Sequence, residues 1–237
     1  MKYLLALLLL ILPFGRSQAQ ATMVGMEAID SQTIRSWVVK DSRAYAGVYH
    51  FGESEGESDF ILCVEPGLIT AQLVSGQWSK DGKQWLRHYD NLQNVRLVGN
   101  KLTADQFSGD FIRFAGPGGT DQLALRMRQY GPSVEKGPVE AGPRSSDLKT
   151  YFDTRFGFAS FRLLTPADLQ ALSKADLGLM RNHIYARYGL IFTPGGAMDQ
   201  YFRRQDWYSP QRRDVSALLT EIERRNVALI RQREAAL

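Results

Sequence analysis

A single cysteine in 237 residues leaves this chain unable to form an intrachain disulfide, even in an oxidising compartment. That residue, Cys63, lies in the apolar run Phe60-Ile61-Leu62-Cys63-Val64 and reads as a buried small hydrophobe. Histidines number only three, and His50 and His88 fall on predicted strands without the spacing of metal ligands; zinc needs three or four converging groups. There is no His-Glu-x-x-His helix and no phosphate loop, so the usual signatures of zinc proteases and nucleotide hydrolases are absent. The formal net charge of +4 is mild and unclustered, which argues against a nucleic-acid partner. No cofactor is expected.

Long hydrophobic runs are also lacking, with one exception at the start. Lys2 supplies a positive charge, Tyr3 to Leu12 is unbroken apolar sequence, and Pro13 and Gly15 stop it. Ala19-Gln20-Ala21 then fits the small-x-small pattern of a signal peptidase site. An apolar run of about ten residues is roughly half of a membrane-spanning helix. Residues 1–21 therefore read as a cleavable signal, with no membrane span after cleavage, and the expected location is secreted, periplasmic or extracellular. No cysteine follows the signal region closely, so lipid attachment at a new N-terminal cysteine is excluded.

What remains divides by pattern and by charge. Residues 22–146 carry 13 basic and 15 acidic side chains, a net of −2, while residues 147–237 carry 14 and 10, a net of +4. Residues 22–129 read as an antiparallel β domain. Leu123, Leu125 and Met127 alternate with polar neighbours, as do Ile69, Ala71 and Leu73, and Tyr45, Gly47, Tyr49 and Phe51. Asp81-Gly82 between Trp78 and Trp85 predicts a two-residue hairpin turn. Short strands at this spacing predict about seven or eight antiparallel strands in a small barrel or sandwich. Residues 30–43 are a lead-in helix or edge element. Pro132, Pro138 and Pro143, with Gly131, Gly137 and Gly142, make residues 130–147 a linker in which neither sheet nor helix is expected to persist. The whole is α+β.

From 148 the period becomes helical. Thr165-Pro166 opens one helix, Ser173 with Asp176 caps a second that Gly189 ends, and Pro194-Gly195-Gly196 opens a third. Asp214 is expected to cap a long final helix, within which Asn226 must find hydrogen-bond partners. The stretch Arg181-Asn182-His183-Ile184-Tyr185-Ala186-Arg187-Tyr188-Gly189-Leu190-Ile191-Phe192 resembles the YARHG domain family. The likeness continues through Tyr201-Phe202, Trp207-Tyr208-Ser209-Pro210, and Glu221-Ile222-Glu223 with Asn226. The resemblance implies a small all-helical extracellular bacterial domain and no enzymatic activity. One position departs from it: where the family name has histidine, this chain has Tyr188, whose phenol ordinarily titrates near 10.

Several residues then offer chemistry, each beside a plainer reading. Arg181, Tyr185, Arg187, Tyr188, Trp207 and Tyr208 are candidate ligand-binding residues, a guanidinium fork among aromatic faces; the alternative is a buried arginine tying the helices together. His183 lacks an evident nucleophile or orienting carboxylate and reads as an exposed polar residue. Glu53, Glu55, Glu57 and Asp59 are hard oxygen ligands that suit calcium, or simply a solvated hairpin tip, which is the preferred reading. Trp78, Trp85 and Tyr89 either form a sugar-stacking face or pair across strands. Together these point to a non-catalytic binding or scaffolding protein of the cell envelope, with cell-wall carbohydrate or another envelope protein as partner. The alternatives are an envelope hydrolase using His183 or the acidic loop, and a small-barrel enzyme inhibitor.

Overall fold

The computed structural model describes residues 21–130 and 139–237. Residues 1–20 of the expected signal and residues 131–138 of the expected linker lie outside these. Alternating sequence becomes twelve strands: β1 (Thr22–Val24), β2 (Glu27–Ile29), β3 (Arg35–Ser36), β4 (Gly47–Phe51), β5 (Ser58–Glu65), β6 (Leu68–Trp78), β7 (Trp85–Asn91), β8 (Arg96–Val98), β9 (Lys101–Ala104), β10 (Phe107–Ala115), β11 (Asp121–Tyr130) and β12 (Val139–Ser146). Nine of them run in the order β7-β6-β5-β4-β12-β11-β10-β9-β8, each pair antiparallel, and curl into a half-barrel. β1 joins β12 in parallel and pairs with β2, and β3 pairs with β10, so residues 30–43 contribute an edge element.

The inside of the curl is aromatic. Tyr45, Tyr49, Phe60, Phe107 and Phe111 pack there with Leu62, Leu102 and Leu125, and Tyr45 stacks on Phe111 at 4.1 Å between centroids. On the opposite face of the same strands, Val48, Ile61, Cys63 and Val74 are equally buried, against Phe152 and Ile222 from the C-terminal region. Burial on both faces explains why β5 reads as a continuous apolar run rather than an alternating one. Burial also pushes the Cys63 thiol up to about 12, which keeps it inert.

Two local expectations need correction. Residues 139–146, expected to be irregular, form β12 in the middle of the sheet path. Its Gly142 is covered by the Phe51 ring, from which a Cβ would stand only 2.7 Å, and Pro143 sits where pairing passes from β11 to β4. A strand that changes partner at its proline loses little by lacking a donor there. The hairpin between β6 and β7 is also longer than two residues. Ser79 N–H donates to Gln84 O at 2.8 Å, Gly82 N–H donates to Ser79 O at 2.8 Å, and Gly82 supplies the positive φ of 68° that closes the loop.

The C-terminal region holds five helices: α1 (Leu148–Tyr151), α2 (Pro166–Gln170), α3 (Lys174–Arg187), α4 (Ala197–Phe202) and α5 (Glu221–Ala235). Thr165 and Asp168 form a reciprocal capping box at α2, and Ser173 accepts from Asp176 N–H at α3. α5 starts later than expected. Asp214 caps only a turn, accepting from Ser216 N–H at 2.9 Å, and Leu219 is extended; the helix begins from Thr220, boxed with Glu223. Asn226 is buried and fully engaged: its amide donates to Ala159 O and Arg162 O at 2.7 Å each and accepts from Leu164 N–H at 2.8 Å. It thereby pins the chain segment before α2 to α5. Gly189 adopts φ 74° after α3, and a Cβ there would lie 2.5 Å from Ser209 O. Among the described residues, no helix is long and apolar enough to cross a membrane.

The helical region also finishes the sheet. Gln211 donates to Trp85 O at 3.0 Å and Arg212 donates to Arg87 O, so carbonyls on the outer strand β7 are taken by side chains.

Candidate functional site

Where the outer sheet face is not sealed by α1 and α5, it floors a cleft of about 340 Å³. The floor follows from register. His50, Asp59, Val74 and Tyr89 are successive partners across β4, β5, β6 and β7, and Gly76 with Arg87 forms the next pair along. Trp85 lies beside them, and its position depends on Gly76: a Cβ at residue 76 would come 2.2 Å from Trp85 Nε1. Trp78 meets that indole edge-on, 5.4 Å between centroids at 77°. Of the two readings of these tryptophans, the structure shows the pairing across strands. Tyr151, Phe152, Thr154 and Phe156 after β12, His183 and Arg187 from α3, and Trp207 form the opposite wall.

Each wall carries its own polar chemistry. His50 Nδ1 lies 2.9 Å from Asp59 Oδ1, and because a carboxylate only accepts, the proton is assigned to Nδ1. The Tyr151 hydroxyl donates to the other Asp59 oxygen at 3.3 Å. Burial, with the Asp59 charge beside it, pushes that phenol up to about 12. His50 Nε2 faces Glu57 at 3.8 Å. His183, expected to be exposed, is instead 5 % exposed, because α3 is covered on that side by α4 and by Trp207. Its ring packs within 6 Å, centroid to centroid, of Phe156 (5.5 Å), Phe202 (5.1 Å) and Trp207 (5.5 Å), with Nε2 3.4 Å from Tyr201 Oη. Burial and then the Arg155 charge push His183 down to about 4, so it is neutral at physiological pH. Among the described residues, neither His50 nor His183 hydrogen-bonds a serine, threonine or cysteine.

Behind the cleft lies a buried polar junction between sheet and helices. Arg187 donates to Glu223 Oε1 at 3.0 Å, to Gln72 Oε1 at 2.6 Å and to Tyr188 Oη at 2.5 Å. Tyr188 donates to Glu223 Oε2 at 2.5 Å and accepts from Gln72 at 3.1 Å. Gln72 also donates to Asn91, whose amide reaches Leu218 O, and Tyr89 donates to Arg187 O at 2.9 Å. The guanidinium sits 4.8 Å from the Phe152 ring centre and 4.7 Å from that of Tyr188. Burial works against its charge, but Tyr188 and Glu223 more than offset this and hold it protonated. Tyr188 is itself fully buried, and burial pushes its phenol well above the ordinary value. The hydroxyl is a fixed bridge, with no acid–base role near neutral pH.

This junction is built largely from the segment that carried the family resemblance. Residues 157–235 match the YARHG domain. The match covers the C-terminal third of the chain and leaves the half-barrel outside it. YARHG domains are typically found in extracellular and periplasmic proteins. No curated protein and no solved structure matches the chain.

The six ligand-binding candidates of the sequence occupy four different places within and around the YARHG domain. Arg181 pairs with Glu234 at 2.9 Å and Tyr185 accepts from Arg231 at 3.1 Å, both between α3 and α5. Arg187 and Tyr188 form the sheet junction, where Arg187 also reaches the cleft wall. Trp207 lines the cleft, whereas Tyr208 is buried with its hydroxyl donating to Leu190 O at 2.6 Å. The acidic run disperses as well. Glu53 accepts from Met26 N–H at 3.3 Å, whereas Glu57 and Asp59 turn toward His50; the Glu55 side chain lies outside the described set. Among the described residues, no group of three or more His, Cys, Asp or Glu converges as a metal site. His88 is exposed on β7.

Sequence reasoning missed Gln72, Arg87, Tyr151 and the His50–Asp59 pair. Gln72 gave no local signal: it alternates with Ile69, Ala71 and Leu73 as a solvent-facing residue would, and only docking of the helical region buries it. Glu223, also unassigned, did have a signal, since it belongs to the stretch that resembles the YARHG family.

Proposed function

We propose that this is an exported envelope protein that binds its ligand, without transforming it, in the cleft between half-barrel and YARHG domain. The observation that carries this reading is the cleft itself, walled by both parts of the chain and mixing aromatic rings with a few convergent polar groups. Its tryptophans are positioned by close contacts, Trp85 over Gly76 and Trp207 against His183. The N-terminal apolar run and the extracellular habit of YARHG domains support export. A hydrolase reading finds less support. His183 is neutral and enclosed in aromatic rings, and among the described residues the His50 imidazole hydrogen-bonds no serine, threonine or cysteine. Cell-wall carbohydrate and an envelope protein are the two partner classes this reading admits.

Blocking the cleft tests it. Soluble cell-wall fragments at saturating concentration are expected to raise the melting temperature by several degrees, since a ligand held at 100 times its Kd adds about 2.7 kcal/mol. Thr154→Trp, which places an indole into the cleft wall, is expected to abolish the shift. An equal shift in the variant would put the binding site elsewhere.

A further inference from the structure

The floor of the cleft holds one charged group that the fold does not use. Arg87 is exposed, and its guanidinium has no hydrogen bond or ion pair to any described residue, whereas other arginines of the junction are bonded two or three times. It lies on β7 two residues from Trp85 and two from Tyr89, so all three share the cleft face of the sheet. Trp78, on the same face, is 50 % exposed and extends the aromatic surface past the end of the cleft. At the other end stand Glu57, Asp59 and His50.

From this arrangement we infer that the ligand is a carboxylated carbohydrate, with sugar rings laid on Trp85 and Trp78 and its carboxylate held by Arg87. The inference rests on the cleft being the binding site and names what enters it. A planar guanidinium fork matches a carboxylate with two parallel hydrogen bonds. Flat indoles match the apolar faces of sugar rings, and the carboxylates at the far end accept from hydroxyls. The same Glu57 and Asp59 repel a second anion, which disfavours polyphosphates and nucleotides. Charged groups at both ends of the floor disfavour an acyl chain. An extended peptide would gain affinity by adding a strand to the open edge, but Gln211 and Arg212 already occupy the Trp85 and Arg87 carbonyls on β7.

The test uses the indole N–H signals of the four tryptophans in nitrogen–proton correlation spectra of the full chain. Trp37, buried in the half-barrel, serves as the internal control. The probe is the disaccharide of N-acetylglucosamine and N-acetylmuramic acid with its lactyl carboxylate free, beside the same sugar as its methyl ester. The free acid is expected to shift Trp85 and Trp78 but not Trp37, and to bind at least tenfold more tightly than the ester. Arg87→Gln is expected to erase that preference, and Trp85→Ala to weaken both sugars. A preference for the free acid that survives in Arg87→Gln overturns the assignment of Arg87. If neither sugar moves Trp85 while cell-wall fragments still stabilise the wild type and not Thr154→Trp, the carbohydrate inference fails and the cleft reading stands. In that case stem peptides of the wall, tested the same way, take the ligand's place.

Discussion

Replacing Arg187 by alanine is expected to destabilise the protein by about 3–5 kcal/mol, the cost of leaving a buried carboxylate without its partner. Glu223 has no exposed surface, and Arg187 supplies the charge opposite it at 3.0 Å. Gln72 and Tyr188 lose a donor in the same step. For a chain of this size each kcal/mol lowers the melting temperature by about 2–4 °C, so a fall on the order of 10 °C is expected in thermal denaturation. The double variant Arg187→Met, Glu223→Gln separates the causes. Glutamine keeps the capping box with Thr220, and both buried charges are gone, so at least half of the lost stability is expected to return. A loss below about 1 kcal/mol in Arg187→Ala would mean that the junction is not what joins sheet to helices.

The second large effect is a pH dependence set by His183. Its folded value of about 4 lies below the ordinary 6.5, so the native ring stays neutral where the unfolded chain takes up a proton. Unfolding therefore consumes a proton in this window, and stability falls as pH drops from 6.5 toward 4. The interval corresponds to about 3 kcal/mol at its lower end. The groups facing the ring support the sign: Phe156, Phe202 and Trp207 exclude water, Tyr201 offers only a neutral hydroxyl, and the Arg155 charge opposes protonation. His183→Phe, a ring for a ring, is expected to flatten the profile between pH 6.5 and 4 relative to wild type in urea denaturation. Carboxylates held low by their partners, such as Asp110 beside Arg126 and Arg128, titrate beneath that window. Parallel profiles for the two proteins would contradict the buried, neutral assignment.

Much of the architecture was legible because local rules and tertiary packing agree. Strict alternation at 69–73 and 123–127 marks strands of the half-barrel, and Thr165-Pro166 and Ser173 with Asp176 mark true helix starts. Asn226 announced its own need for partners and has three hydrogen bonds. Failures occurred where a distant neighbour overrides the local signal. Gly142 and Pro143 read as breakers, yet Phe51 fills the space over one and a change of strand partner accommodates the other. Asp214 is a good cap, but Thr220 with Glu223 is a better one, and Glu223 is fixed by Arg187 and Tyr188 as well. His183 looked exposed because the polar residues beside it in sequence say nothing of α4 and Trp207, which arrive from a later part of the chain. The cleft was legible only in fragments. Its tryptophans were noticed, but a face shared by four strands and roofed by another region is a property of register and docking, which no single window of sequence contains.

The account depends on half-barrel and YARHG domain forming one folding unit around the Arg187–Glu223 junction, because only then is the cleft a fixed site. Differential scanning calorimetry of the full chain tests this directly. One transition is predicted, with calorimetric and van't Hoff enthalpies in agreement, shifted downward as a whole by Arg187→Ala. Two separable transitions, only one of them moved by that substitution, would contradict it.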